Sequence, residues 1–239
     1  TRLKLIRNES IGNYSWDNKA AGTGSSENDY GSNDWTDSAL QKVLNEGSYW
    51  NRTLGECPYD KNGALITCDF STNGLTNEAK QMIDSTLWNL GGTSNYITSN
   101  DGLASHWYTY ERGTDAYESH PTEWIGKIGL IYPSDYGYAT SGGEITNREA
   151  CLNRELYNWS SVDDCYNNDW LYNNSNNQWT LTPYFDTSYD MFYVSSLGLV
   201  NITSARNTQP VVFPVLYLKS NVKITSGDGS YINPYQLSL

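Results

Sequence analysis

Two histidines, four cysteines and 27 carboxylates are the side chains of this sequence best suited to chemistry. Their spacing selects no reaction. His106 lies in the aromatic run HWYTYER and His120 precedes a proline, so neither sits in a nucleophile motif. A Ser–His–Asp arrangement needs a positioned serine, and no GxSxG offers one. HExxH and a Gly-rich phosphate loop are also absent from the sequence. The carboxylates could supply a glycosidase-like acid pair, but nothing singles out two of them. GSNDW, SNDGL and SGDGS look like fragments of calcium loops, yet none has the closing glutamate of an EF-hand. They read as turns. No catalytic residue, metal or cofactor is therefore expected.

The cysteines fall as two local pairs, Cys57/Cys68 and Cys151/Cys165. Zinc sites usually place two ligands a few residues apart, which this spacing does not. Two local disulfides are expected, with free buried thiols as the alternative. Loops of this size would each contribute about 3 kcal/mol and imply an oxidising, extracytoplasmic location.

Such a chain needs a scaffold. At 239 residues it can bury a sizeable core. Twenty Tyr and nine Trp against four Phe give many rings with polar tips, which suit half-buried and recognition surfaces. The net charge of −12 repels phosphate backbones and anionic lipid heads, so nucleic acid is not an expected partner. No apolar run approaches the ~18–20 residues that span a bilayer, so this segment is expected to make no membrane contact. The abrupt start, TRLKLIRNES, reads as a strand in a piece cut from a longer, anchored protein.

Two helices are expected. One is DSALQKVLNE, capped by Thr36 and stopped by Gly47. The other is NEAKQMIDSTLWNL, capped by Thr76 and stopped by Gly91–Gly92. A shorter helix is expected over 148–157. Strands are expected at Gly126–Ile131, Trp179–Leu181, Met191–Val194, Val215–Leu218 and Val222–Ile224. Long Asn/Ser/Gly-rich connections join them, and no repeat or linker divides the chain. The fold class is one loop-rich α+β domain.

The stretch LTPYFDTSYDMFYV, 181–194, breaks the strand pattern. Tyr184–Asp190 mixes rings, carboxylates and hydroxyls after a proline, the composition of a binding loop. Tyr184, Phe185, Tyr189 and Asp190 are expected to be exposed, over buried Trp179, Leu181, Val194, Leu216 and Leu218.

RLKLIRNESIGNYSWDNK, YGSNDWTDSALQKVLN, GLTNEAKQMID, IGLIYPSDYGYATSGG, NNDWLYNNSNNQWTLTP and VLYLKSNVKITSGDG with NPYQLSL together resemble a group of surface proteins from gut bacteria. Those have a domain similar to the C-type lectin and formylglycine-generating-enzyme folds. Some look like the variable proteins of diversity-generating retroelements, in which adenine-directed mutagenesis rewrites codons near the C-terminus. The layout agrees: WTLTP and PVLYLKSNVKI flank an irregular 184–213. Every residue from Tyr184 to Asp190 is reachable from an asparagine codon by changing adenines, whereas Met191 is not. Phe213 departs from the pattern, because similar proteins carry arginine there.

The resemblance implies a C-type-lectin-like fold with two main helices, small twisted sheets and many long loops. It implies a ligand-binding face of Tyr184, Phe185, Asp186, Ser188, Tyr189, Asp190, Leu197, Leu199, Asn201, Ile202, Arg206, Asn207, Gln209 and Phe213. The expected partner is a protein or glycan met at the bacterial cell surface. The calcium motifs of sugar-binding lectins do not carry over: Gln209–Pro210 is followed by Val211, and Asn-Asp-Trp occurs twice in place of Trp-Asn-Asp. The reactive cysteine pair of the enzyme branch does not carry over either, since local disulfides account for the cysteines. A structural pilus or envelope subunit is the alternative function, and an enzyme the third.

Overall fold

The computed structural model describes residues 2–19, 29–97 and 101–239. Thr1, and Ser99 and Asn100 of the expected SNDGL turn, lie outside them. The strands are β1 (Lys4–Ile6), β2 (Leu54–Pro58), β3 (Leu65–Asp69), β4 (Thr86–Asn89), β5 (Glu123–Gly126), β6 (Ile128–Gly129), β7 (Gln178–Pro183), β8 (Asp190–Val194), β9 (Val200–Ser204), β10 (Val215–Tyr217), β11 (Lys223–Ser226) and β12 (Gln236–Ser238). Two three-stranded sheets, ordered β1-β10-β6 and β7-β8-β9, contribute Ile128, Val215, Trp179, Leu181, Met191, Phe192, Val194 and Val200 to the core. Three two-stranded pairs, β2-β3, β4-β5 and β11-β12, surround them. The architecture is α+β.

Every residue of β7 is buried, and its tryptophan is held at both ends. Trp179 packs at 1 % exposure and its Nε1 donates to the Tyr14 carbonyl at 2.9 Å. Trp16 answers from the facing N-terminal segment, donating from Nε1 to the Thr180 carbonyl at 3.1 Å. These bonds satisfy the indole donors of two rings that supply much of the buried area. Leu181, Val194 and Leu218 are buried as expected, but Leu216 is only partly covered, since it faces outward on the short strand β10.

The expectation of two main helices does not hold. Ser38, not Thr36, caps the first of the two expected helices, Ala39–Asn45, by accepting from Gln41 N. Asp34 caps a 3-10 turn, Trp35–Asp37, just before it. Gly47 does not simply stop this helix but leads into another short one, Ser48–Asn51. The second expected helix covers only Asn77–Met82, with Thr76 capping as read. Beyond it, Thr86, Leu87 and Trp88 alternate buried, exposed, buried in β4, paired with β5. Leu87 and Leu90 at helical spacing therefore belong to a strand and its exit. Over so short a run the apolar residues satisfy either period, and the available partner β5 decides. The longest α-helix among the described residues is Ala104–Glu111, which holds most of the aromatic run HWYTYER. The expected helix over 148–157 is Arg148–Leu152 followed by a 3-10 segment, Leu156–Ser161.

Cys57 is bonded to Cys68 and Cys151 to Cys165. The first bond ties β2 to β3; the second ties Arg148–Leu152 to the helix Asp163–Asn167. No described helix is long and apolar enough to cross a membrane.

Candidate functional site

Pro183 ends β7 where its register with β8 shifts, and Tyr184–Tyr189 leaves the sheet there. Proline cannot donate to a ladder, so a strand end is where it belongs. Tyr184 N donates to the Asp190 carbonyl at 3.0 Å and closes the loop. Within it, Thr187 Oγ1 accepts from Asp190 N at 3.1 Å and bonds Asp190 Oδ2 at 3.0 Å.

The loop is gripped from outside by one buried residue, Asn33. Its Nδ2 donates to the carbonyls of Tyr184 (3.0 Å), Thr187 (2.8 Å) and Asp190 (3.0 Å). Its backbone N–H donates to the Ser188 carbonyl at 2.8 Å. All four acceptors are main chain. Asn33 is fixed in turn by Asp17, whose carboxylate accepts from Ser32 N and Ala39 N, each at 2.8 Å. Burial raises the Asp17 pKa, and these backbone donors pull it back down. Gly31 completes the strap: its φ is +80° and an added Cβ would lie 2.2 Å from the Asp17 carbonyl oxygen.

The expected exposure of the loop is corrected. Tyr184, Phe185, Ser188, Tyr189 and Asp190 are all partly covered, and within the loop only Asp186 is exposed. Tyr184 lies edge-on against Tyr96 and the core ring of Phe192, with centroids 6.1 and 5.9 Å away. Tyr189 stacks on Tyr30 at 4.8 Å. The rings are amphipathic enough to lean on the core while showing one edge to water. Burial, and then the neighbouring carboxylates Asp186 and Asp190 respectively, hold the phenols of Tyr184 and Tyr189 above their ordinary value, so both stay neutral donors. Burial also raises Asp190.

Arg206 and Asn207 join this end. Arg206 lies 5.3 Å from the Tyr30 ring centroid and pairs with Asp60 at 3.0 Å. Asn207 Nδ2 donates to Thr203 Oγ1 at 2.8 Å. With Ser204 and Thr208 they line a cleft of about 230 Å³ beside the stacked tyrosines.

The other expected site residues are not brought here. Asn201 lies mid-strand opposite Tyr193, and Ile202 opposite the core residue Phe192. Leu197 and Leu199 occupy the turn at the far end of the β8–β9 hairpin, roughly 15 Å away at the rise of a strand. Phe213 lines a different cleft, with Trp170 and Arg7. Gln209 is exposed on the return segment, where its carbonyl accepts from Asn13 Nδ2 at 2.7 Å. A contiguous stretch of sequence so long must cross both ends of a hairpin, and this one does.

Sequence reasoning missed Tyr30, Asn33, Asp60 and Tyr96, all distant in the chain from the loop they contact. The one available signal was Gly31–Ser32–Asn33–Asp34, read only as a turn. The two histidines pack on rings, His106 by Tyr110 and His120 by Tyr117. Among the described residues no group of three or more His, Cys, Asp or Glu side chains could hold a metal ion. The arrangement can offer stacking faces, neutral hydroxyl donors, three carboxylates and one guanidinium, which is equipment for binding. No family model, curated protein or solved structure matches this chain.

Proposed function

We propose that the chain is a ligand-recognition module of the bacterial cell surface, with a C-type-lectin-like scaffold and a diversified loop at Tyr184–Tyr189. The observation that carries this reading is the Asn33 grip. It holds the loop by four main-chain carbonyls and asks nothing of the side chains between them. A loop fixed by its backbone can change side chains and keep its shape, as rigid scaffolds carrying variable loops require. The ligand is a protein or glycan that meets Phe185, Asp186, Ser188, Tyr189, Arg206 and Asn207. The two disulfides agree with an oxidising location outside the cytoplasm. Sequencing several genomic copies of the gene tests diversification: substitutions should concentrate at adenine-templated codons of 184–213. Even drift along the gene would remove the reading.

The second reading, a structural pilus or envelope subunit, has one feature in its favour. The hairpin β11–β12 is exposed along β11, and its loop shows Tyr231 and Ile232 at over nine-tenths exposure. An isolated hairpin is marginal in water and gains from being covered. Light scattering at rising concentration separates the readings, since a subunit should associate through this hairpin.

A further inference from the structure

A cavity of about 340 Å³ opens between β1 and the helices Ala104–Glu111 and Pro133–Ala139. None of its lining residues belongs to the loop 184–190. Its floor is apolar, formed by Leu5, Ile131, Leu171 and Val215. Three rings stand at its rim and remain open to water: Tyr108, Tyr138 and Trp170, the last 71 % exposed. A tryptophan so exposed beside a concave apolar surface is the feature that most needs an occupant.

The charges fix what kind. Lys4 is spent within the fold, paired with Asp135 and lying 4.6 Å from the Tyr132 ring centroid. Arg112 is not. Its guanidinium lies over Tyr108, 3.5 Å from the ring centroid, and Nη1 donates to the Tyr108 carbonyl at 3.1 Å. The nearest carboxylate, Glu111 at 3.3 Å, is fully buried, and burial pushes its pKa up to about 8. That upward shift weakens the hold of Glu111 on Arg112, and the polar contacts of the Arg112 side chain within the fold all use Nη1. In a chain of net charge −12 this is a cationic spot at the edge of an apolar cleft.

We propose that this cleft is a second ligand site, for a small monocarboxylate with a flat apolar body. The body seats against Trp170 and Tyr138 over the aliphatic floor. The carboxylate pairs with the Nε–Nη2 edge of Arg112, the planar fork that matches a carboxylate. The cavity is at the small end of the range for ligand pockets, which limits the body to about one ring.

Isothermal titration of the whole chain with 3-phenylpropionate and with uncharged 3-phenylpropan-1-ol tests both halves of the assignment. The acid should bind at millimolar concentration, about tenfold or more tighter than the alcohol. Arg112→Gln should erase that difference and leave the alcohol unchanged, while Trp170→Ala should weaken both. Absence of acid binding at millimolar concentration, equal binding of acid and alcohol, or acid binding that survives Arg112→Gln overturns the proposal. Should Arg112→Gln fail to fold, Trp170→Ala decides alone: its side chain is mostly in water, so the variant folds, and unchanged acid affinity overturns the site.

Discussion

The side-chain amide of Asn33 lies 2.8 Å from the carbonyl oxygen of Thr187, 154 residues away in sequence. The same nitrogen serves two further carbonyls of the loop, so its two hydrogens are shared among three acceptors. At 4 % exposure Asn33 itself has little access to water as a substitute partner. Asn33 therefore connects the strap 31–38 to the loop without depending on any loop side chain.

Truncating that contact should be costly. Asn33→Ala leaves three partly covered carbonyls short of a donor, and one shut off from water costs about 1–3 kcal/mol when left unpaired. The expected loss is more than about 2 kcal/mol in urea denaturation, with faster amide exchange across 184–190. Loss of a few tenths of a kcal/mol would mean that the loop holds its own shape.

Loop side chains should differ among themselves. Asp186 is exposed, and Asp186→Ala should stay within about 0.5 kcal/mol. Tyr189→Ala gives up its stack on Tyr30 and should cost about 1 kcal/mol. Tyr184→Ala opens space against Phe192 and should cost more than Tyr189→Ala. Trp179→Ala, deep in β7, should lose roughly 3–5 kcal/mol. An order with Tyr189 above Tyr184 would place the second tyrosine, not the first, as part of the scaffold.

Much of this order was legible in the sequence, and the remainder has a physical cause. Trp179, Leu181 and Val194 read as core because the strands that flank a displayed loop must be fixed by packing, and they are core. Adjacent pairing of the cysteines was legible from separation alone. β4 was misread because Met82, Ile83, Leu87 and Leu90 fit a helical stripe, and only the long-range partner β5 breaks the tie. The half-burial of Tyr184 was hidden for the same reason. Tyr96, which covers it, is brought there by tertiary packing that no local pattern reports.

The disulfides should stabilise unequally in kind though similarly in size. Each closes a short loop, spanning separations of 11 and 14 residues, and each should contribute about 3 kcal/mol. Cys57–Cys68 crosses a hairpin already paired over five positions, so its reduction should leave β2–β3 recognisable by amide exchange. Cys151–Cys165 joins two five-residue helices, too short to persist alone. Serine at both of these positions should release exchange across 148–167 first. Equal protection in both variants would show that packing on Trp159, not the bond, orders this lobe.

Stability should fall as pH rises through neutrality, and Glu111 should account for much of the slope. Its carboxyl is fully buried against Ser134, whose backbone N–H it accepts at 2.8 Å, and burial raises it from 4.5 to about 8. The folded chain then keeps a proton that the unfolded chain releases near 4.5. Between those values the native state binds more protons, so stability declines with rising pH by up to about 1.4 kcal/mol per unit for this group. The contribution is fully present below 4.5 and levels off above 8. Asp169, raised to about 8 by burial, acts in the same direction, as do the raised Asp17 and Asp190. Asp37 is lowered by Lys19 and then Lys42, and its opposite effect falls at more acid pH, below this window. Glu111→Gln keeps the shape of the side chain and cannot ionise. Urea midpoints measured from about pH 5 to 8 should therefore fall less steeply in the variant than in the parent chain. Parallel curves would mean that Glu111 is ionised in the fold and held by Arg112.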